Sequence, residues 1–267
     1  MKPSPQNKVG IITVNYNNSS DTLLCVKSLM ELKDINDHKI YVVDNGSTDK
    51  SPVILKKVKG IELIRSKINL GFAGGNNIGI KKALADGCNY IFLINNDAEI
   101  IDPETLTKLI NNNKGITAPI VSFVRGKEIV YDYGGKIDKV FGRNTHYESP
   151  FKIENLYPTA DYYSGVCLMV SAKVFEKIGF LDDSYFLYYE DVDFCLRAAQ
   201  AGFKLKLCPN VTIMHMLSAS TKKLGKQKIK ILADSHFRFC LNHLPPMSTL
   251  FFLSFNIYLR LKTIPKI

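Results

Sequence analysis

Residues 9–47 read VGIITVNYNNSSDTLLCVKSLMELKDINDHKIYVVDNGS, and the order of patterns within them decides the fold. Val9 to Val14 is a β-branched run of strand length. Ser20 or Asp21 then caps a helical pattern whose apolar positions are Leu24, Cys25, Leu29 and Leu32. Ile40 to Val43 forms a second buried strand that ends in the turn-forming residues Asp44, Asn45, Gly46 and Ser47. A strand, a crossover helix and a second apolar strand make a parallel β-α-β start.

The alternation continues outward. Ser51 to Val58 reads as a short helix, Ile61 to Ile64 as a strand, Asn76 to Ala85 as a helix and Tyr90 to Ile94 as a strand. Pro103 to Asn111 follows as a helix and Gly115 to Ala118 as a strand. This predicts a mainly parallel sheet flanked by helices, with ligands at the carboxyl ends of its strands. Tyr131 to Ala160, rich in Gly, Tyr, Asp and Lys, reads as loops or a small antiparallel excursion. Regular patterns return with a helix over Ala172 to Ile178 and another from Glu190 to Ala201, stopped by Gly179 and Gly202. Phe203 to Leu207 and Val211 to Met214 read as two strands. From Lys222 a basic stretch leads into an amphipathic helix to about Leu244, then Pro245-Pro246 and an apolar tail. The chain therefore divides into a domain at 1–221 and a basic, amphipathic helical extension at 222–267.

Composition narrows the partners. A formal charge of +10 over 267 residues favours an anionic ligand or surface. The lysines are dispersed and no nucleic-acid motif is present, so nucleic acid is not an expected partner. Six cysteines without a C-x-x-C pair, mostly inside apolar runs, read as reduced and structural. The polar start MKPSPQNKVG carries no apolar export segment, and the apolar run at 250–259 is too short to span a bilayer. The expectation is a cytoplasmic protein that meets the inner face of the plasma membrane peripherally.

Four constellations carry chemistry. The first is three polar strand ends, Asn15-Tyr16-Asn17, Asp44-Asn45-Gly46-Ser47 and Asn95-Asn96-Asp97, which a parallel sheet brings to one edge. The second is Asn69 to Asn77, NLGFAGGNN, a glycine-rich entry to a helix. It lacks both the G-K-[ST] of a P-loop and the spacing of a dinucleotide fingerprint, so a dehydrogenase is excluded. The third is Asp97 with His215, one carboxylate and one imidazole suited to a divalent cation that is also held by diphosphate oxygens. The fourth is Tyr188-Tyr189-Glu190-Asp191-Val192-Asp193, acids at a helix start with aromatic residues crowded before them. Each has a plainer explanation in turn chemistry, helix-dipole preference or an Asp193–Arg197 pair at i,i+4.

In order, the segments IITVNYNN, VVDNGSTD, NLGFAGGNNIGI, FLINNDAEI, SGVCLMVSAKVFEKIGFLDDSYFLYYEDVDFCLRAAQAG and IMH resemble family 2 of the inverting glycosyltransferases, which have the GT-A fold, and within it the rhamnosyltransferase-like branch. The likeness covers roughly residues 8–220. It implies that Asn15, Tyr16 and Asp44 surround the nucleotide base, and that Asn69, Gly74, Gly75, Asn76, Asn95 and Asn96 line the donor side. Asp97 and His215 would hold Mg²⁺ or Mn²⁺, with Asn95 standing where the family's D-x-D has its first acid. Asp191 would be the catalytic base, and Tyr188, Tyr189 and Glu190 would face the acceptor sugar. The implied partners are a nucleotide-sugar donor, a glycan or lipid-linked acceptor of cell-surface polysaccharide synthesis, an anionic membrane surface met through 222–267, and a second copy of the chain. The branch favours dTDP-rhamnose, with a UDP-hexose or UDP-N-acetylhexosamine as alternative. A membrane-surface module without catalysis is the reading from another class.

Overall fold

The computed structural model describes residues 7–33, 37–111, 115–140, 142–153, 157–217 and 225–245. The N-terminal half follows the alternation. The strand β1 (Lys8–Asn15) leads to the helix α1 (Ser19–Met30), then β2 (Asp37–Asn45), the short α2 (Ser51–Leu55), β3 (Ile61–Ser66), α3 (Gly71–Ala85) and β4 (Tyr90–Ile94). β1 pairs in parallel with β2 and β4, and β2 with β3. The two faces of these strands alternate with period two. Ile12, Tyr41, Val43 and Leu93 pack under α3, while Val9, Ile11, Ile40, Val42 and Phe92 pack under α1 and α2.

The second half is mixed, with antiparallel pairings beside a parallel one. After β5 (Ala98–Ile100) and α4 (Thr105–Ile110) come β6 (Gly115–Arg125), β7 (Glu128–Ile137) and β8 (Asn144–Ser149). Then follow β9 (Cys167–Ser171), α5 (Ala172–Ile178), α6 (Glu190–Gln200), β10 (Lys204–His215) and α7 (Lys226–His243). The sheet order is β3-β2-β1-β4-β9-β6-β10-β5, with β7 and β8 as a hairpin on β6. β9 runs antiparallel to both β4 and β6 and is buried at the centre of the sheet. Its sequence, CLMVS, is a short apolar run without alternation, which periodicity alone does not assign to a strand.

Two further expectations change. The helix expected from Asn76 begins at Gly71, so the glycine-rich segment is itself helical. The two strands expected over 203–214 are one strand, β10, whose parallel register on β6 shifts between Cys208 and Thr212. Of the two readings of Tyr131–Ala160, loops or a small antiparallel excursion, the structure has the second, the β7–β8 hairpin. All six cysteines are free, and burial pushes the Cys25 and Cys195 thiols up to about 12, in keeping with an inert structural role. Among the described residues no helix is long and apolar enough to cross a membrane. Lys222, Lys223 and the apolar tail lie outside the described residues.

Candidate active site

Parallel pairing of β1 with β2 sets Asn15 opposite Asp44 at the carboxyl edge. Both are fully buried. The Asn15 amide donates to Asp44 Oδ1 and to Ser47 Oγ, each at 3.0 Å, and its carbonyl accepts from Thr22 Oγ1 at 2.8 Å. Both Asn15 amide protons are thereby committed inside the protein, and one of them fixes Asp44. The second Asp44 oxygen has no hydrogen-bond partner; Arg65 Nε stands 3.5 Å away on a side chain that is 60% exposed. A buried carboxylate oxygen left with one long, solvent-screened contact has capacity for a donor from a ligand. Tyr16, next along the chain, is 42% exposed and offers a ring at the same edge.

The turn before α3 is tied to this edge by Asn45. Its amide donates to Asn69 Oδ1 at 3.1 Å and to the Gly71 carbonyl at 2.9 Å, and its carbonyl accepts the Leu70 N–H at 3.1 Å. Gly71 sits at φ +75°, and a Cβ there would come within 2.2 Å of the Phe186 carbonyl. A Cβ on Gly75 would stand 2.9 Å from Asn45 Nδ2 and Val14 Cγ1, and one on Gly74 2.7 Å from Leu70 Cβ. The glycines thus allow close packing of α3 against its neighbours. Asn76 donates back to the Phe72 carbonyl at 2.9 Å. Asn77 clamps the Leu181 backbone with bonds of 2.8 and 3.2 Å. The sequence places Asn45 and Asn77 inside two polar motifs without a role of their own and gives no sign of Arg65; side-chain amides beside turn glycines look alike until their partners are known.

β5 pairs antiparallel with β10 so that Ala98 lies opposite His215. This brings His215 Nε2 to 3.0 Å from Asp97 Oδ1, with both side chains mostly buried. The two residues named from sequence 118 positions apart therefore meet. No group of three or more His, Cys, Asp or Glu side chains suited to a metal occurs among the described residues, and the candidate ligands that meet here are two. The other two residues of the motif make contacts within the protein. The Asn96 amide donates to Thr22 Oγ1 at 2.9 Å, and the Asn95 backbone bonds to the Val166 carbonyl at 2.9 Å, tying the strand ends together.

Asp191 sits in the first turn of α6. Oδ2 accepts the Gly165 N–H at 2.7 Å and Oδ1 the Val192 N–H at 2.8 Å. Desolvation holds its carboxyl above the ordinary carboxylate range, against the lowering effect of those two N–H donors. The turn before it is strained: Tyr188 and Tyr189 both adopt positive φ, 71° and 70°, a conformation costly for two consecutive bulky residues. What holds it is α7. Tyr189 packs against His236 and Phe239, ring centroids 5.2 and 5.3 Å away. Ser235 Oγ donates to the Leu187 carbonyl at 2.8 Å, and His243 Nε2 lies 2.6 Å from Asp193 Oδ1, whose other oxygen takes Arg197 at 2.7 Å. Tyr189 and Glu190 are consequently buried, and Glu190 at 4% exposure sits beneath the surface instead of facing an acceptor sugar.

Residues 10–179 match the family described as Glycosyl transferase family 2. The chain is 30% identical over 216 residues to the low-salt glycan biosynthesis hexosyltransferase Agl10 of Haloferax volcanii, covering 78% of this chain and 66% of that protein. It is 29% identical over 223 residues to the dTDP-rhamnosyl transferase RfbF of Shigella flexneri, covering 80% and 70%. Among solved structures, GalNAc-T7 with UDP, GalNAc and Mn²⁺ superposes with a TM-score of 0.67 at 16% identity, over 89% of this chain and 48% of that one. The last likeness concerns the fold, and the chain spans only about half of that structure. The ordered motifs, the mixed sheet and the family match together show that the chain belongs to glycosyl transferase family 2.

Proposed function

We propose that this chain is an inverting glycosyltransferase that moves a sugar from a nucleoside-diphosphate donor to a hydroxyl of a glycan or lipid-linked glycan, with Asp191 as general base. The observation that carries it is Asp191 itself: a carboxylate fixed by two backbone N–H groups at a helix start, desolvated so that it is more basic than an exposed aspartate. Asp191 would take the proton of the acceptor hydroxyl as that oxygen attacks the anomeric carbon from the face opposite the diphosphate, which inverts the centre. The free Asp44 oxygen suits the imino N–H of a uracil or thymine base, and Tyr16 suits stacking on it. The relative named as a dTDP-rhamnosyl transferase supports dTDP-rhamnose as donor. A UDP-hexose or UDP-N-acetylhexosamine would meet the same base contacts.

Asp97 and His215 fit a divalent cation, Mg²⁺ or Mn²⁺, because a carboxylate oxygen and an imidazole nitrogen already converge there. Such a cation would supply a Lewis acid to offset the charge of the departing diphosphate. A peripheral membrane contact through 222–267 is the accompanying proposal for localisation, supported by exposed Lys228 and Lys230 beside exposed Ile229.

A thermal-shift series with dTDP, UDP and their sugar conjugates tests the donor site. Mn²⁺ together with the matching nucleotide is expected to raise Tm by several degrees, as about 2.7 kcal/mol of stabilisation follows at a hundredfold excess over Kd. EDTA or His215→Ala is expected to remove most of that shift. An unchanged shift in both would refute the metal assignment.

A further inference from the structure

The β7–β8 hairpin carries a charged pair that the mechanism above leaves unused. Asp132 on β7 is buried at 7% exposure. One of its oxygens accepts the Gly134 N–H at 2.9 Å and the other lies 2.8 Å from His146 Nδ1 on β8. A carboxylate at that distance fixes a proton on Nδ1 and the orientation of the ring, which stays about one-third exposed. Tyr162 holds the same ring edge-on, with centroids 5.3 Å apart and planes at 83°.

Gly135 is the knot. It lies opposite His146 across the hairpin and bridges to Tyr162 on the following segment. A Cβ there would fall 2.4 Å from both the Tyr162 hydroxyl and the Thr145 carbonyl, so the three strands close up only around glycine. The segment that begins at Tyr162 reaches Gly165, whose N–H holds Asp191 Oδ2. Imidazole and carboxylate are thus suspended from one short stretch. Each is among the charges acting on the other: Asp191 favours a protonated His146, and His146 favours an ionised Asp191. The other charges facing the ring are Asp132 from β7 and Glu148 from its own strand. Glu148 is already forked to Arg125 at 2.7 and 3.0 Å. Burial opposes the charged imidazole, but the carboxylates prevail and its titration lies above the usual 6.5.

We propose that His146, clamped by Asp132, is a positioning residue for Asp191, its imidazolium keeping the desolvated Asp191 carboxylate ionised and ready to receive the acceptor proton. This rests on Asp191 being the base. Two measurements on the full chain separate the claims. The first follows the His146 ring signals by NMR against pH, assigned through loss in His146→Gln. The second is the pH profile of kcat/KM for dTDP-rhamnose consumption.

His146 is expected to titrate above 6.5, and to titrate lower by roughly half a pH unit or more in Asp191→Asn, since coupling between two sites is reciprocal. In His146→Gln the Asp191 carboxyl rises further, so the acidic limb of the profile moves up by a similar amount. At pH values where wild-type His146 is itself neutral, variant and wild type converge. Asp132→Asn is expected to lower the His146 titration and to reproduce the low-pH defect, which guards against a folding failure in one variant. A His146 titration unmoved by Asp191→Asn, or a His146→Gln defect equal at all pH values, overturns the proposal while leaving Asp191 as base. Normal turnover in Asp191→Asn overturns both.

Discussion

At the scale of single residues, the site is made of polar side chains whose partners are nearly all protein, and the exceptions are informative. Asn15, read from sequence as a base contact, has both amide protons committed inside the protein, whereas Asp44, its neighbour across the sheet, keeps one oxygen without a hydrogen-bond partner. Glu190 is the other exception. It is buried, one oxygen lacks a partner, and desolvation raises its carboxyl well above the ordinary 4.5. A folded-state value raised in this way favours the protonated form, so the stability it allows is complete below about 4.5 and is lost as pH rises through the folded value. Glu190→Gln keeps the shape without the charge. It is expected to stabilise the protein by about 1 kcal/mol at neutral pH, roughly 2–4 °C in Tm, with the gain vanishing near pH 4. Thermal unfolding across pH 4–8 measures this; a loss of stability at neutral pH would show that an ionised Glu190 is instead satisfied in the fold.

At the scale of elements, sequence legibility followed periodicity. β1, α1, β2, β3 and β4 were readable because apolar runs ended in turn residues. β9 was not, because a fully buried central strand has no alternation to show. The Asp97–His215 meeting depends on β5 pairing with β10, a long-range register that spacing does not encode; the sequence offered the two residue types and not their proximity. Gly74 and Gly75 were legible as special but not as packing positions. Gly75→Ala is expected to cost about 1–3 kcal/mol in chemical denaturation, since the methyl would meet Val14 and Asn45 at 2.9 Å. A neutral change would mean that α3 can shift away from β1. α7 lies in the segment read from sequence as an extension, where packing on the catalytic domain stood beside membrane or partner contact, and it braces the Tyr188–Tyr189 turn. Phe239→Leu is expected to lower kcat about ten- to a hundredfold while donor affinity holds, because a small displacement of Asp191 weakens catalysis more than binding. Equal losses in kcat and donor affinity would point to general disruption.

At the scale of the whole molecule, the sheet divides the labour. The parallel half, β3-β2-β1-β4, ends in Asp44, Tyr16 and the turn fixed by Asn45, where the nucleotide is proposed to lie. The mixed half brings Asp97 to His215 and carries the β7–β8 hairpin that lies against the segment holding Asp191. α7 closes over the turn that leads into α6, so the strained backbone before Asp191 is held from outside the sheet. Under the proposed function, these parts together present one basic carboxylate, Asp191, to an acceptor hydroxyl. The most direct measurement is single-turnover transfer by Asp191→Asn alongside calorimetric donor binding. An asparagine oxygen can still accept the Gly165 N–H, so donor affinity is expected to stay within about twofold while transfer falls by about 10²–10⁴-fold. Transfer within about tenfold of wild type, at unchanged donor affinity, would contradict a general-base role for Asp191.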